Sequence, residues 1–178
     1  MAFLDTIRNF FVPGIFSEPE SVVPAPPMTY SIRPLTRDHL SQVLKLNLRC
    51  FRNGDNYTKY TFDYLLNEPR TLSYRMVTPA GEIVGFAFVM VKEQNAAHIT
   101  TIGVAPEHRR RGIAKRLLTH LENGLVQRRI GTVMLEVRVS NSSAQDLYKL
   151  HGYIIVQRIN KYYSDGEDCF LMMKSLLF

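Results

Sequence analysis

The stretch Ile102-Gly103-Val104-Ala105-Pro106-Glu107-His108-Arg109-Arg110-Arg111-Gly112-Ile113-Ala114-Lys115 decides the fold. It starts as a strand, turns at Pro106 and opens a helix whose first turn carries a glycine and several cations. Beyond it, Ile113, Ala114, Leu117, Leu118, Leu121, Leu125 and Val126 fall on one apolar stripe, so Gly112 to Arg129 reads as the clearest helix of the chain. A helix start offers unpaired N–H groups and the positive end of the helix dipole, which together suit a phosphate. Gly112 lets the backbone approach closely, and the flanking Arg and Lys side chains add charge.

The charge balance concentrates in the same place. The chain has 178 residues, with 22 Lys+Arg against 16 Asp+Glu, a net +6. Between positions 108 and 129, Arg109, Arg110, Arg111, Lys115, Arg116, Arg128 and Arg129 stand against Glu122 alone, which is also +6. An arginine run of this kind is a solvated face, a nucleic-acid stripe or a pyrophosphate cradle. Its position directly after a strand, at the start of a helix, favours the cradle. A small polyanionic cofactor is therefore expected, and no specific nucleic acid.

Working outward, the texture from Thr29 is that of one α/β domain. Strands are expected at Tyr30–Arg33, Tyr74–Thr78, Glu82–Lys92, His98–Val104, Thr132–Val139, Tyr153–Asn160 and Cys169–Leu176. Helices are expected at Asp38–Cys50, Thr61–Asn67 and Ser142–Leu150 besides the one after Gly112, and Arg52 to Tyr57 reads as a turn. This order predicts a single mixed sheet with helices on its faces. Residues 1–28 look different: five of the nine prolines lie at positions 13, 19, 24, 26 and 27. That density marks an extension to the fold. Phe3, Leu4, Ile7, Phe10 and Phe11 nevertheless recur at helical spacing, so one short amphipathic helix over 2–12 is an expectation.

Composition excludes several classes. Two cysteines make no disulfide framework, and no Cys/His cluster has metal-ligand spacing, so no metal is expected. No run approaches the ~20 apolar residues of a membrane span, and the first segment lacks the basic and apolar regions of a signal peptide. A cytoplasmic setting is the expectation.

Arg109-x-x-Gly112-x-Ala114 resembles the acetyl-CoA pyrophosphate motif of the GCN5-related N-acetyltransferase (GNAT) family. Leu135-Glu136-Val137-Arg138-Val139-Ser140-Asn141, then Ala144, Leu147-Tyr148, Gly152-Tyr153 and Lys161 to Asp168, resemble a narrower group. That group is the protein N-terminal acetyltransferases of the RimI type and those related to the NatA catalytic subunit. The resemblance covers about residues 29–176. It implies the GNAT fold, a mostly antiparallel mixed sheet flanked by helices, over 29–178, and acetyl-CoA as acetyl donor. The implied reaction is direct attack of an N-terminal α-amino group of a protein or peptide on the thioester. Lysine or small-amine acetylation on the same fold is the alternative within the class. Outside it stands a basic RNA- or ribosome-binding module with a vestigial pocket. Association with the ribosome, and a monomer or weak dimer, are the implied assembly.

The resemblance also assigns roles. The backbone of Ile102, Gly103 and Val104 is implied to hold the pantetheine arm, and the N–H groups of Arg110, Arg111, Gly112, Ile113, Ala114 and Lys115 the pyrophosphate. Glu136 sits in an otherwise apolar strand, where a carboxylate is either solvent-facing or inside a cleft with raised basicity; the resemblance implies a general base. Tyr148 is implied to be the general acid at the CoA sulfur, its alternative being a core aromatic. Asn141 reads as a helix cap that also contacts pantetheine. Tyr162 and Tyr163 match positions that hold the substrate backbone, and Tyr57 is a candidate for the opposite wall. One departure limits substrate inference: where NatA-type subunits carry Leu-Pro-Glu after the first helix, this chain reads Leu48-Arg49-Cys50-Phe51-Arg52. Arg52 and Asp55 are left as candidates for another selection.

Overall fold

The structure is a computed structural model that describes residues 22–51 and 56–176, together with the backbone of Phe11–Val12. After the two-residue strand β1 (Phe11–Val12) come β2 (Ser31–Pro34), a 3-10 turn at Arg37–His39, α1 (Leu40–Cys50), β3 (Asn56–Tyr57) and α2 (Lys59–Asn67). They are followed by β4 (Thr71–Val77), β5 (Ile83–Val91), β6 (Ala96–Val104), a 3-10 turn at Pro106–His108 and α3 (Ile113–Gln127). The chain finishes with β7 (Thr132–Arg138), α4 (Ser142–Leu150), β8 (Ile154–Ile159) and β9 (Cys169–Ser175).

Local chemistry accounts for the boundaries. Thr58 caps α2 by accepting from Thr61 N at 3.2 Å, which starts the helix two residues before the expected Thr61. Asn141 caps α4 by accepting from Ala144 N at 3.1 Å. The expected turn over 52–57 ends in β3, whose Asn56 and Tyr57 pair antiparallel with Val12 and Phe11. The helix expected over 2–12 does not include positions 11 and 12, whose backbone groups are taken by this ladder; the rest of that expectation lies outside the described residues.

Seven strands form one mixed sheet in the order β2-β4-β5-β6-β7-β9-β8. Every pairing is antiparallel except β6–β7, which α3 connects as a crossover over the sheet. Successive residues of β5 show what covers each face. A Cβ on Gly85 would meet Ile113 and Leu117 of α3, whereas the neighbouring Phe86 stands under Gly103 near Cys50 of α1. Phe62 of α2 packs on that second face, its ring 5.9 Å from Phe86 and 5.3 Å from Phe88. The sheet is thus sandwiched between α3 and the α1/α2 pair.

One irregularity in β6 sets the direction of its side chains. Phe88 opposes Thr101 but Val89 opposes Ile99, so Thr100 is an extra residue in the strand. A bulge of one residue reverses the face on which every side chain beyond it stands. His98, which would otherwise share the α3 face with Ile102, is delivered to the α1/α2 face.

Candidate active site

β6 and β7 pair only from Ala96–Thr132 to His98–Met134. Beyond that point a cleft lies between them, lined by Ile99–Ile102 of β6 and Leu135–Arg138 of β7. Asn141, Ala144 and Tyr148 close it from the α4 side, and Phe51, Tyr57 and Tyr163 from the other.

Glu136 stands two residues beyond Met134, the ladder partner of His98, and therefore on the same face as His98. The two side chains meet: His98 Nε2 lies 2.6 Å from Glu136 Oε2, with only 4% and 6% of the side chains exposed. Glu136 Oε1 is buried without a hydrogen-bond partner among the described residues. Of the two readings open in sequence, solvent face or cleft, the structure places Glu136 in the cleft. His98 has no place among the sequence-predicted site residues. Its link to Glu136 depends on a parallel register between residues 38 positions apart, and the face on which the pair stands depends on the bulge, neither of which leaves a local signal.

Tyr148 borders the same cleft, with its ring edge-on to Tyr153 at 5.7 Å. Burial pushes its hydroxyl up to about 12, so it stays protonated and available as a donor. The thiols are shifted by the same cause: burial lifts Cys50 and Cys169 each to about 12. Neither is a ready thiolate nucleophile. At the end of β5, burial lowers Lys92 to about 8, with Arg70 adding to the effect and Glu136 opposing it.

The loop between β6 and α3 has the geometry of an anion cradle. Arg110 and Gly112 both take left-handed backbone angles, φ 61° and 72°, and no side chain caps the helix that begins there. Alternation of this kind turns successive N–H groups toward one point. A Cβ on Gly112 would touch nothing within 4 Å, so the space over the turn is open. The residues present therefore fit a pyrophosphate held by backbone N–H groups. Their side chains do other work. Arg109 donates to Val104 O and Cys50 O at 3.3 and 3.2 Å, and Arg111 to Ala25 O, Pro26 O and Tyr30 Oη. Arg116 donates to Tyr30 O at 2.9 Å, so three of the clustered cations bind the chain itself rather than offering a nucleic-acid stripe.

The three expected substrate-side tyrosines separate. Tyr163 reaches the cleft; Tyr162 does not line it but packs edge-on behind Tyr163 at 5.1 Å. Tyr57 does line it, although its hydroxyl donates to the bulged Thr100 O at 2.9 Å. Ile102 lines the cleft, while Gly103 is the point of closest approach to Phe86, where an added Cβ would come within 2.6 Å of the ring. The carboxylates of the β8–β9 loop are engaged by arginines of the sheet. Asp165 and Glu167 pair with Arg138, and Asp168 with Arg158. Among the described residues no group of three His, Cys, Asp or Glu side chains is placed to hold a metal, and no helix is long and apolar enough to cross a membrane.

A splayed parallel strand pair, an uncapped glycine turn at the head of the crossover helix and a cleft carboxylate define a class of acetyl-transferring enzymes. The acetyltransferase (GNAT) family model matches residues 40–153, and the chain belongs to that family. Its relatives sharpen this. It is 34% identical over 153 residues to the N-alpha-acetyltransferase daf-31 of Caenorhabditis elegans, covering 82% of each chain. It is 36% identical over 151 residues to the N-terminal acetyltransferase A complex catalytic subunit NAA10 of Arabidopsis thaliana, covering 82% of this chain and 77% of the relative. Among solved structures, the ribosomal-protein-S18-alanine N-acetyltransferase from Escherichia coli superposes with a TM-score of 0.77 at 27% identity, over 84% of this chain and 96% of that one.

Proposed function

We propose that this chain transfers acetyl from acetyl-CoA to the N-terminal α-amino group of a protein or peptide, with Glu136 as general base and Tyr148 as general acid. The observation that carries the reading is the buried Glu136 in the β6–β7 cleft, tethered at Oε2 by His98 and open at Oε1. That open oxygen is the acceptor for an ammonium proton, directly or through a water. The names of the relatives, N-alpha-acetyltransferases, support the same substrate class.

The bound donor supplies an activated acetyl group and a thiolate leaving group. The backbone N–H groups of Arg110 to Lys115 hold its pyrophosphate, and the free edge of Ile102, Gly103 and Val104 its pantetheine arm, with Asn141 alongside. Tyr148 Oη, kept protonated by burial, supplies the proton that the leaving sulfur needs. Tyr163 and Tyr57 flank the incoming chain, with Tyr162 buttressing Tyr163. At pH 7 an α-amine with pKa near 7.8 costs about 1 kcal/mol to deprotonate, and a lysine near 10.4 about 4.6 kcal/mol. One carboxylate suffices for the first.

The catalytic unit in this reading is residues 29–178, and 1–28 is an extension to it, anchored near its end by Arg111. The enzyme works in the cytoplasm on chains met at the ribosome, a placement supported by the two unpaired cysteines. The test is acetylation of one peptide with its N terminus free or blocked and an internal lysine present, with mass-spectrometric site mapping. Acetyl on the free α-amine alone is expected; acetyl on the lysine of the blocked peptide overturns the substrate class.

A further inference from the structure

Arg138 is the last residue of β7 and pairs in register with Cys169, the first residue of β9, so it stands where the β8–β9 loop rejoins the sheet. Its side chain is 9% exposed and borders the cleft. Nη1 donates to Asp165 Oδ2 at 2.9 Å and to Glu167 Oε2 at 2.6 Å, and the guanidinium carbon sits 3.9 Å over the Tyr163 ring centroid. One nearly buried cation thus binds two carboxylates and one aromatic face of a single loop.

The carboxylates are in turn fastened. Glu167 Oε1 accepts from Ser140 N at 2.8 Å, Glu167 N donates to Asp165 Oδ1 at 3.0 Å, and Glu167 O accepts from Tyr163 N at 3.0 Å. Gly166, at φ 85°, makes the turn that lets both carboxylates face inward. The outer limb is held separately, by Asp168 with Arg158 and the Lys161 N–H. Removing Arg138 leaves two mutually repelling carboxylates and takes the guanidinium off the Tyr163 ring; removing Arg158 touches the outer limb.

We propose that Arg138 is a positioning residue that latches the β8–β9 loop and thereby fixes Tyr163 as a wall of the acceptor cleft. The latch rests on the proposed function only for the identity of the acceptor. A planar guanidinium bridges two carboxylates and stacks on a ring at once, which a lysine ammonium cannot do.

The test compares wild type with Arg138→Gln, Arg138→Lys and Arg158→Gln in two measurements: steady-state kinetics with peptide and acetyl-CoA varied separately, and amide hydrogen exchange over 160–168. Loss of charge-assisted bonds predicts, for Arg138→Gln, a peptide KM raised about 10- to 100-fold with the acetyl-CoA KM unchanged. Exchange in the loop accelerates in step. Arg138→Lys falls between, and Arg158→Gln behaves as wild type in KM. An unchanged peptide KM, or a rise in both KM values together, overturns the latch. Should the wild-type chain acetylate no peptide, the proposed function falls, and the exchange comparison alone decides the latch. Faster loop exchange in Arg138→Gln, with the sheet amides unaltered, supports it; unaltered loop exchange overturns it.

Discussion

His98 and Glu136 share a hydrogen bond of 2.6 Å at the last ladder step before β6 and β7 part. The bond holds one carboxylate oxygen and leaves the other buried without a hydrogen-bond partner among the described residues, on a side chain that lines the cleft. Replacing Glu136 by Gln keeps the shape and removes the basicity. Turnover is expected to fall by about 10²- to 10⁴-fold with acetyl-CoA affinity intact, read by kinetics and calorimetry side by side. Turnover at the wild-type level would remove Glu136 from the role of base.

Tyr148 makes a sharper pH statement. Its hydroxyl is pushed by burial to about 12, so it remains a donor throughout the range in which the protein is handled. Tyr148→Phe should lower kcat by about 10²-fold or more without a new pH dependence. In wild type, the alkaline side of the rate profile should show no loss attributable to this group below about pH 11. A tyrosine-dependent fall near pH 8 would contradict the assignment.

Gly112 tests the cradle. Its φ of 72° costs a non-glycine residue about 1–2 kcal/mol, and an added Cβ would meet no protein atom, only the open space over the turn. Gly112→Ala should therefore raise the acetyl-CoA KM while leaving the peptide KM alone, with a modest drop in Tm. A rise in peptide KM instead would put the anion site elsewhere.

Gly103→Ala is a stability experiment on the strand that leads into that turn. Its Cβ would come within 2.6 Å of the Phe86 ring and 3.2 Å of Cys50 Sγ. Overpacking of this kind costs about 1–3 kcal/mol, or roughly 2–4 °C of Tm per kcal/mol for a chain of this size. Calorimetry that shows no loss would mean the ring and α1 yield freely.

Acid should open the substrate side first. The Glu167 N–H, with Arg138, holds the Asp165 carboxyl below its usual range; for Glu167, Ser140 and Arg138 outweigh the opposing effect of burial. A carboxyl whose folded-state pKa is lowered contributes stability that is complete above its ordinary value and lost as pH falls through the lowered one. Loop exchange over 160–168 should accelerate below about pH 4 while the α3 amides stay protected. Simultaneous exposure of both would deny the loop its separate anchor.

Much of the fold is legible in the chain because it is local. The cradle is a continuous run in which a glycine, a strand before it and an apolar stripe after it all declare themselves within 30 residues. At α2 the helix starts earlier than its apolar pattern suggests, because Thr58 caps it. The single parallel pairing comes from the crossover through α3, as a mixed sheet requires.

What the linear pattern left open was decided by register and by distance along the chain. That His98 met Glu136 turned on the parallel register of β6 and β7, and which face of the sheet the pair occupies turned on one bulged residue, Thr100, because a slip of one position exchanges the two faces of a strand. Arg111 gripping Ala25 and Arg138 gathering Asp165, Glu167 and Tyr163 likewise join segments far apart in sequence. The sequence by itself determined most of the elements and the glycine turn at the head of α3, whose hydrogen bonds form between near neighbours. Only the tertiary structure decided which side chains share the cleft, because that depends on how strands slide past one another when the core closes.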